Sequence, residues 1–216
     1  MSACDGARLL EALAPSGPWN VSAIPTFGGA PEEPGRNSFD VGPHNVDGPK
    51  GLFDWIGFKQ QDSRNIYLHV AVGNTKKAKL KKSDVKEVRA LWVDCDPDPQ
   101  RYEDSRAEIL DRMHDYHLKP SCIVDSGNGY QAYWFLDEPF VVDGDEDRIS
   151  EFERYTRQLY YDFEATGGDG CWSIEHLMRL PGTINIETQK KVAKGYPRGN
   201  RDARIVEWNE EESAHV

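Results

Sequence analysis

Two apolar runs, Ser121–Asp125 and Tyr130–Leu136, are separated by Ser126-Gly-Asn-Gly129. Glycine and asparagine tolerate the backbone of a tight turn, so the stretch specifies an antiparallel hairpin. A third strand is set by Arg89-Ala-Leu-Trp-Val-Asp-Cys-Asp96, apolar until it ends in two carboxylates one residue apart. Side chains two apart on a strand share a face, which puts Asp94 and Asp96 side by side. Carboxylates held this close repel, and a bound cation relieves the repulsion. Oxygen ligands suit Mg²⁺ or Mn²⁺ rather than zinc. The spacing itself is common, recurring at Asp96/Asp98, Asp143/Asp145 and Asp145/Asp147. Only the first pair follows a run able to hold it rigidly.

Around these strands the pattern predicts a short helix over Cys4–Leu13 and a strand at Trp19–Ile24, then a long Gly- and Pro-rich stretch to about Lys50. A strand at Asn65–Val72 and a helical turn around Ser83–Val88 come next. Ser105 and Glu108 have capping-box spacing ahead of a helix whose inner face is Ile109, Leu110, Met113 and His117. His114 and His117 are read as surface and packing residues. A second helix, about Arg148 to Glu164, is carried by Ile149, Phe152, Leu159 and Phe163, and Gly167 and Gly168 end it. A last strand at Arg204–Trp208 precedes an acidic tail. No repeat or linker divides the 216 residues, which is enough chain for one substantial core.

A mean hydropathy of −0.70 fits a soluble protein with large polar loops, and no segment is long and apolar enough to span a bilayer. No signal-peptide pattern opens the chain, so the expected location is the cytoplasm. Four scattered cysteines without a Cys-x-x-Cys pair point to buried free thiols. The formal charge of −11 argues against a generic nucleic-acid coat but leaves room for a metal-dependent enzyme acting on nucleic acid. Lys76, Lys77, Lys79, Lys81, Lys82 and Lys86 form one basic cluster, and a second runs from Lys190 through Arg204.

Glycines at 127 and 129 let backbone approach a ligand closely, and exposed N–H groups in such a turn can hold phosphate oxygens; taken alone, the turn needs no ligand. Gln131 and Tyr133 share a face just inside the following strand. Arg179 lies among Leu177, Met178 and Leu180, where a guanidinium needs an anionic partner, either a carboxylate such as Glu175 or a nucleotide triphosphate.

Taken together and in order, Trp-Val-Asp-Cys-Asp, Asp-Ser-Gly-Asn-Gly-Tyr-Gln-Ala-Tyr-Trp and His-Leu-Met-Arg-Leu-Pro-Gly-Thr-Ile-Asn resemble the three motifs of archaeo-eukaryotic-type primases. The likeness is to the primase-polymerase domains of phage and plasmid replication proteins and runs from about Asn65 to Lys194. It implies an α+β fold: an RRM-like antiparallel sheet with flanking helices and an N-terminal α/β flank, forming one catalytic unit. Within the single domain, residues 1–64 are the flank, 65–208 the core and 209–216 an acidic tail.

The implied activity is template-directed nucleotidyl transfer on single-stranded DNA with two Mg²⁺ or Mn²⁺ ions and nucleoside triphosphates as substrates. By this resemblance Asp94, Asp96 and Asp169 are metal ligands and catalytic residues. Ser126, Gly127, Asn128, Gln131, Arg179, Asn185, Lys190 and Lys191 fall where nucleotide contacts occur. Lys76, Lys77 and Lys79 are read as template contacts, and a primer strand and a replicative helicase domain or protein as further partners. The histidine that usually ends the second motif is Gln131 here, which supplies no positive charge. A non-catalytic single-strand-binding domain of the same fold and a metal-dependent nuclease are the rival readings.

Overall fold

The computed structural model describes residues 3–27, 48–73, 79–209 and 213–214. Helix α1 (Ala3–Leu13) and strand β1 (Val21–Pro25) open the chain. Helix α2 (Gly48–Gln61) follows where no helix is expected. Its glycines and Pro49 lower intrinsic propensity, yet Leu52 and Ile56, one turn apart, are buried, so tertiary packing supplies the missing stability.

The strand expected over Asn65–Val72 is two strands, β2 (Arg64–His69) and β3 (Val72–Gly73), which belong to different sheets. Val70 and Ala71, both buried, carry the chain from one sheet to the other. A stretch of strand formers without a turn residue does not reveal such a handover. The helical turn around Ser83–Val88 is a 3-10 turn limited to Lys82–Asp84; from Val85 the chain is already β4 (Val85–Cys95).

Helix α3 (Tyr102–Asp115) begins before the expected cap. Ser105 lies inside it, its hydroxyl accepting from the Asp98 N–H at 3.0 Å, and Glu108 pairs with Arg101. The helix is instead entered through a 3-10 turn capped by Asp98. Ile109 and Met113 are buried as expected, but Tyr116 rather than His117 completes the inner face. His114 is on the surface beside Glu207.

The expected hairpin is β5 (Cys122–Asp125) and β6 (Tyr130–Val141), in register Cys122 with Tyr133 and Asp125 with Tyr130. Helix α4 (Glu146–Phe163), N-capped by Asp145, buries Ile149, Phe152, Leu159 and Phe163. Three short elements follow: β7 (Leu177–Arg179), β8 (Ile184–Asn185) and α5 (Gln189–Ala193). The described chain closes with β9 (Arg201–Asp202), β10 (Arg204–Trp208) and β11 (Ser213–Ala214).

The large sheet has six strands, in the path β10-β5-β6-β4-β3 with β11 on β6, and a three-stranded sheet has the order β1-β2-β7. The order β4-α3-β5-β6-α4 is the β-α-β-β-α sequence of an RRM-like unit, flanked by the α/β layer of the N-terminal elements. One hydrophobic core runs through both sheets, with Trp92 and Trp134 nearly inaccessible at its centre. Cys95, Cys122 and Cys171 are buried free thiols, as the spacing implies. Among the described residues no helix is long and apolar enough to cross a membrane.

Candidate active site

The carboxyl end of β4 gathers the acids. Across β6, Asp94 pairs with Gln131 and Cys95 with Tyr130. On the other edge of β4 the chain returns after α4 and forms an antiparallel bridge between Cys95 and Gly168. The Asp169 N–H donates to the Asp94 carbonyl at 2.8 Å, and the Asp96 N–H to the Gly167 carbonyl at 2.9 Å. Asp169 is therefore opposite Asp94, and Gly167 opposite Asp96. Directly opposed residues on antiparallel segments share a face, so Asp94, Asp96 and Asp169 project to the same side.

The Trp92 indole N–H donates to the Cys171 carbonyl at 2.8 Å, and the Asp94 N–H to Cys171 Sγ at 3.2 Å. Buried Glu153 on α4 accepts from the Ile174 N–H at 2.9 Å, which pins the far side of the same loop. Gly167 has φ of +92°, and a Cβ there would stand 2.3 Å from the Asp96 carbonyl oxygen. The returning chain can lie this close to β4 only because that position is glycine.

Burial pushes the Asp94 carboxyl up from 3.8 to about 7, with Asp96 and then Asp169 adding repulsion and the Lys191 ammonium opposing it. The oxygens are hard donors of the kind Mg²⁺ and Mn²⁺ prefer. They are not a finished cage: among the described residues, no three His, Cys, Asp or Glu side chains converge as a metal cluster. Asp169 is exposed, its Oδ1 accepting from the Gly170 N–H at 2.8 Å, and Asp96 Oδ2 lies 2.5 Å from Lys191 Nζ. The donor set suits a divalent ion, and Lys191 reaches one of its oxygens.

A cleft leads away from Asp94 and Asp96. On one wall Arg179, on β7, is 6% exposed. Its Nη2 donates to the Tyr67 hydroxyl at 2.9 Å and to Asn185 Oδ1 at 3.1 Å, and its guanidinium carbon lies 4.3 Å from the Tyr67 ring centroid. Nη1 has no hydrogen-bond partner. Neither Glu175 nor any other carboxylate among the described residues forms an ion pair with it, and burial draws its pKa down from the ordinary guanidinium value.

The hairpin turn forms the neighbouring wall. Ser126 Oγ accepts from the Gly129 N–H at 3.1 Å, closing the turn. Asn185 Nδ2 donates to the Ser126 carbonyl at 2.8 Å, so Asn185 joins the turn to Arg179. Asn128 Oδ1 accepts from Arg201 at 3.3 Å.

Gln131 lines the cleft but is 2% exposed. With its amide oriented so that both ends are satisfied, its oxygen accepts from the Arg179 N–H at 3.0 Å and its nitrogen donates to the Arg179 carbonyl at 3.2 Å. Gln131 thus extends the edge of β7 and holds the small sheet against the large one. Replacing it with alanine leaves two buried backbone groups unpaired and should cost about 2 kcal/mol in urea unfolding.

Of the remaining sequence candidates, Lys191 lines the cleft, while Lys190 is exposed and Gly127 does not line it. Gly127 instead packs on Asn185, where a Cβ would come within 2.9 Å. Lys79 is exposed and is not a lining residue; Lys76 and Lys77 lie outside the described residues. The structure adds Tyr67, Tyr196 and Arg201 to the lining. Arg201 falls within the second basic cluster, but nothing in the sequence marks Tyr67 or Tyr196 apart from other aromatics.

No protein-family model and no curated protein matches the chain. Solved structures do. The primase-polymerase domain of cyanophage S-2L superposes with a TM-score of 0.57 at 16% identity, covering 97% of this chain and 92% of that one. The primase RepB′ superposes with a TM-score of 0.53 at 13% identity, covering 99% of this chain and 58% of that one. At these identities the likeness is one of fold: the chain shares the fold of these two primase structures.

Proposed function

We propose that the protein is a DNA primase-polymerase that joins nucleotides on a single-stranded DNA template in replication. The observation that carries this reading is Arg179, a buried guanidinium with a partnerless Nη1, on the wall of a cleft that ends at Asp94 and Asp96. Burying such a charge unpaired is costly, and a triphosphate supplies the missing anion with oxygens that a guanidinium grips directionally.

Asp94, Asp96 and Asp169 are the residues to hold divalent ions, which when bound supply charge neutralisation and activation of the attacking 3′-hydroxyl. Arg179 binds the triphosphate, fixed in aim by Tyr67 and Asn185. Lys191 brings a second positive charge on a flexible stem. The Ser126–Gly129 turn lends its rigidity through Asn185, and preorganised charge of this kind needs no rearrangement during reaction. The three acids outside a finished cage motivate one rival, a single-strand-binding domain without chemistry.

The test is incubation with a single-stranded template, labelled nucleotides and Mn²⁺ or Mg²⁺. Incorporation that requires all three supports the proposal. Single-strand binding without incorporation at either metal supports the rival, and degradation that ignores triphosphates points to a nuclease. Arg179→Met should weaken triphosphate binding about a hundredfold, measured by fluorescence titration, because it removes a buried charge-assisted contact. Equal affinity in that variant would remove Arg179 from the site.

A further inference from the structure

Arg179, Lys191 and Arg201 line the cleft, and the first two are held in opposite ways. Arg179 is fixed in the wall without a carboxylate. Lys191 Nζ lies 2.5 Å from Asp96 Oδ2 and 4.4 Å from the Tyr196 ring centroid. The side chains of Lys191 and Asp96 are 30% and 35% exposed, so the pair meets solvent and solutes directly.

The backbone on both sides is secured. Lys191 rides on α5, where the Thr188 side chain accepts from the Lys191 N–H. The Tyr196 hydroxyl donates to the Pro97 carbonyl at 2.8 Å, and Glu187 accepts from the Gly199 N–H at 2.6 Å. Any exchange of partner is therefore a motion of one long side chain, not of the loop.

An ammonium at this distance from a carboxylate oxygen excludes a divalent ion from the same oxygen by charge and by contact. A pair this exposed is also held weakly, and a lysine ammonium has three donors on a flexible stem. A triphosphate entering beside Arg179 carries more negative charge than Asp96 and so competes for it.

We propose that Lys191 is an exchangeable counterion: without nucleotide it holds Asp96 and disfavours loading of a divalent ion, and an arriving triphosphate draws the ammonium away and frees Asp96. This rests on reading the cleft as a nucleotidyl-transfer site. Metal and triphosphate then bind with positive coupling, through a residue that touches each in turn.

The test is a Mn²⁺ titration by electron paramagnetic resonance without nucleotide, beside a titration of a non-hydrolysable deoxynucleoside triphosphate analogue in EDTA. Lys191→Met should bind Mn²⁺ about tenfold more tightly than wild type and the metal-free triphosphate about tenfold more weakly. Lys194→Met, one turn away with the same loss of charge, should change neither. Unchanged Mn²⁺ affinity in Lys191→Met overturns the exchange, as does tighter Mn²⁺ with unaltered triphosphate binding. An Asp94→Asn variant separates the two levels: if it keeps full Mn²⁺ binding, the acids are not the metal site, and the underlying reading falls along with the exchange.

Discussion

Asp94→Asn should abolish metal-dependent nucleotide incorporation, by a thousandfold or more, and at the same time make the metal-free protein more stable. The two effects share one cause. Asp94 is half-buried beside Asp96 and Asp169, and desolvation, with their repulsion added, raises its carboxyl to about 7. Its proton is bound more tightly in the folded chain than in the unfolded one, so the cost of ionising it falls on the folded state. That cost is absent below the ordinary value of 3.8 and complete once the pH passes about 7. Stability of the wild-type protein in EDTA should therefore decline through this window, and the advantage of Asp94→Asn should widen through it.

Thermal unfolding at pH 5 and pH 8 measures the difference. A variant that loses activity together with stability at pH 8 would show Asp94 to be a structural residue instead. Mn²⁺ must also displace the proton, so its affinity for the wild type should climb by up to tenfold per pH unit below about 7 and level off above it.

The second large effect is expected at Gly129, a residue that touches no ligand in the proposed site. A Cβ there would stand 2.0 Å from the Cys95 carbonyl oxygen and 3.2 Å from the Asp96 Cα. Both neighbours are backbone, so neither can swing aside. Gly129→Ala must push the hairpin turn off the end of β4 or break the register that places Gln131 opposite Asp94. The expected loss is about 3 kcal/mol, or about 10 °C in midpoint, read by thermal unfolding. Mn²⁺ binding should weaken as well, because the displaced backbone carries Asp96. Ser126→Ala is the milder comparison: it removes one hydroxyl from the same turn and should cost about 1 kcal/mol. A Gly129→Ala protein as stable as Ser126→Ala would show that this approach is looser than the backbone implies.

What the sequence discloses here divides along the range of the interactions. The hairpin is legible because Ser-Gly-Asn-Gly and the flanking apolar runs are local, and the Asp94/Asp96 face follows from strand alternation alone. Helix α4 is legible for the same reason. Helix α2 is not, since its Gly51 and Gly57 argue against a helix and only its buried neighbours argue for one. The split between β2 and β3 is invisible because no turn residue separates His69 from Val72, and only their partners, β1 and β7 for one and β4 for the other, tell them apart.

Site residues show the same division. Asp94, Asp96 and Arg179, singled out through motifs, line the cleft, while Asp169 is exposed and does not line it. Tyr67 reaches the cleft only because β2 lies against β7, with Tyr67 in register with Arg179. Gln131 is the sharpest case. Its place beside the acids is legible, while its bond to the Arg179 backbone depends on a strand that pairs with a different sheet.

The bridge between Cys95 and Gly168 has a consequence for how the protein matures. Asp94 and Cys171, which it brings together, are 77 residues apart in the chain. A contact of that span must be reached by closing a long loop, so it forms after the local hairpin. A chain that has made β4, β5 and β6 but not yet returned past α4 has two of its acids and no third. Asp169 should then come to stand opposite Asp94 only with this long-range closure.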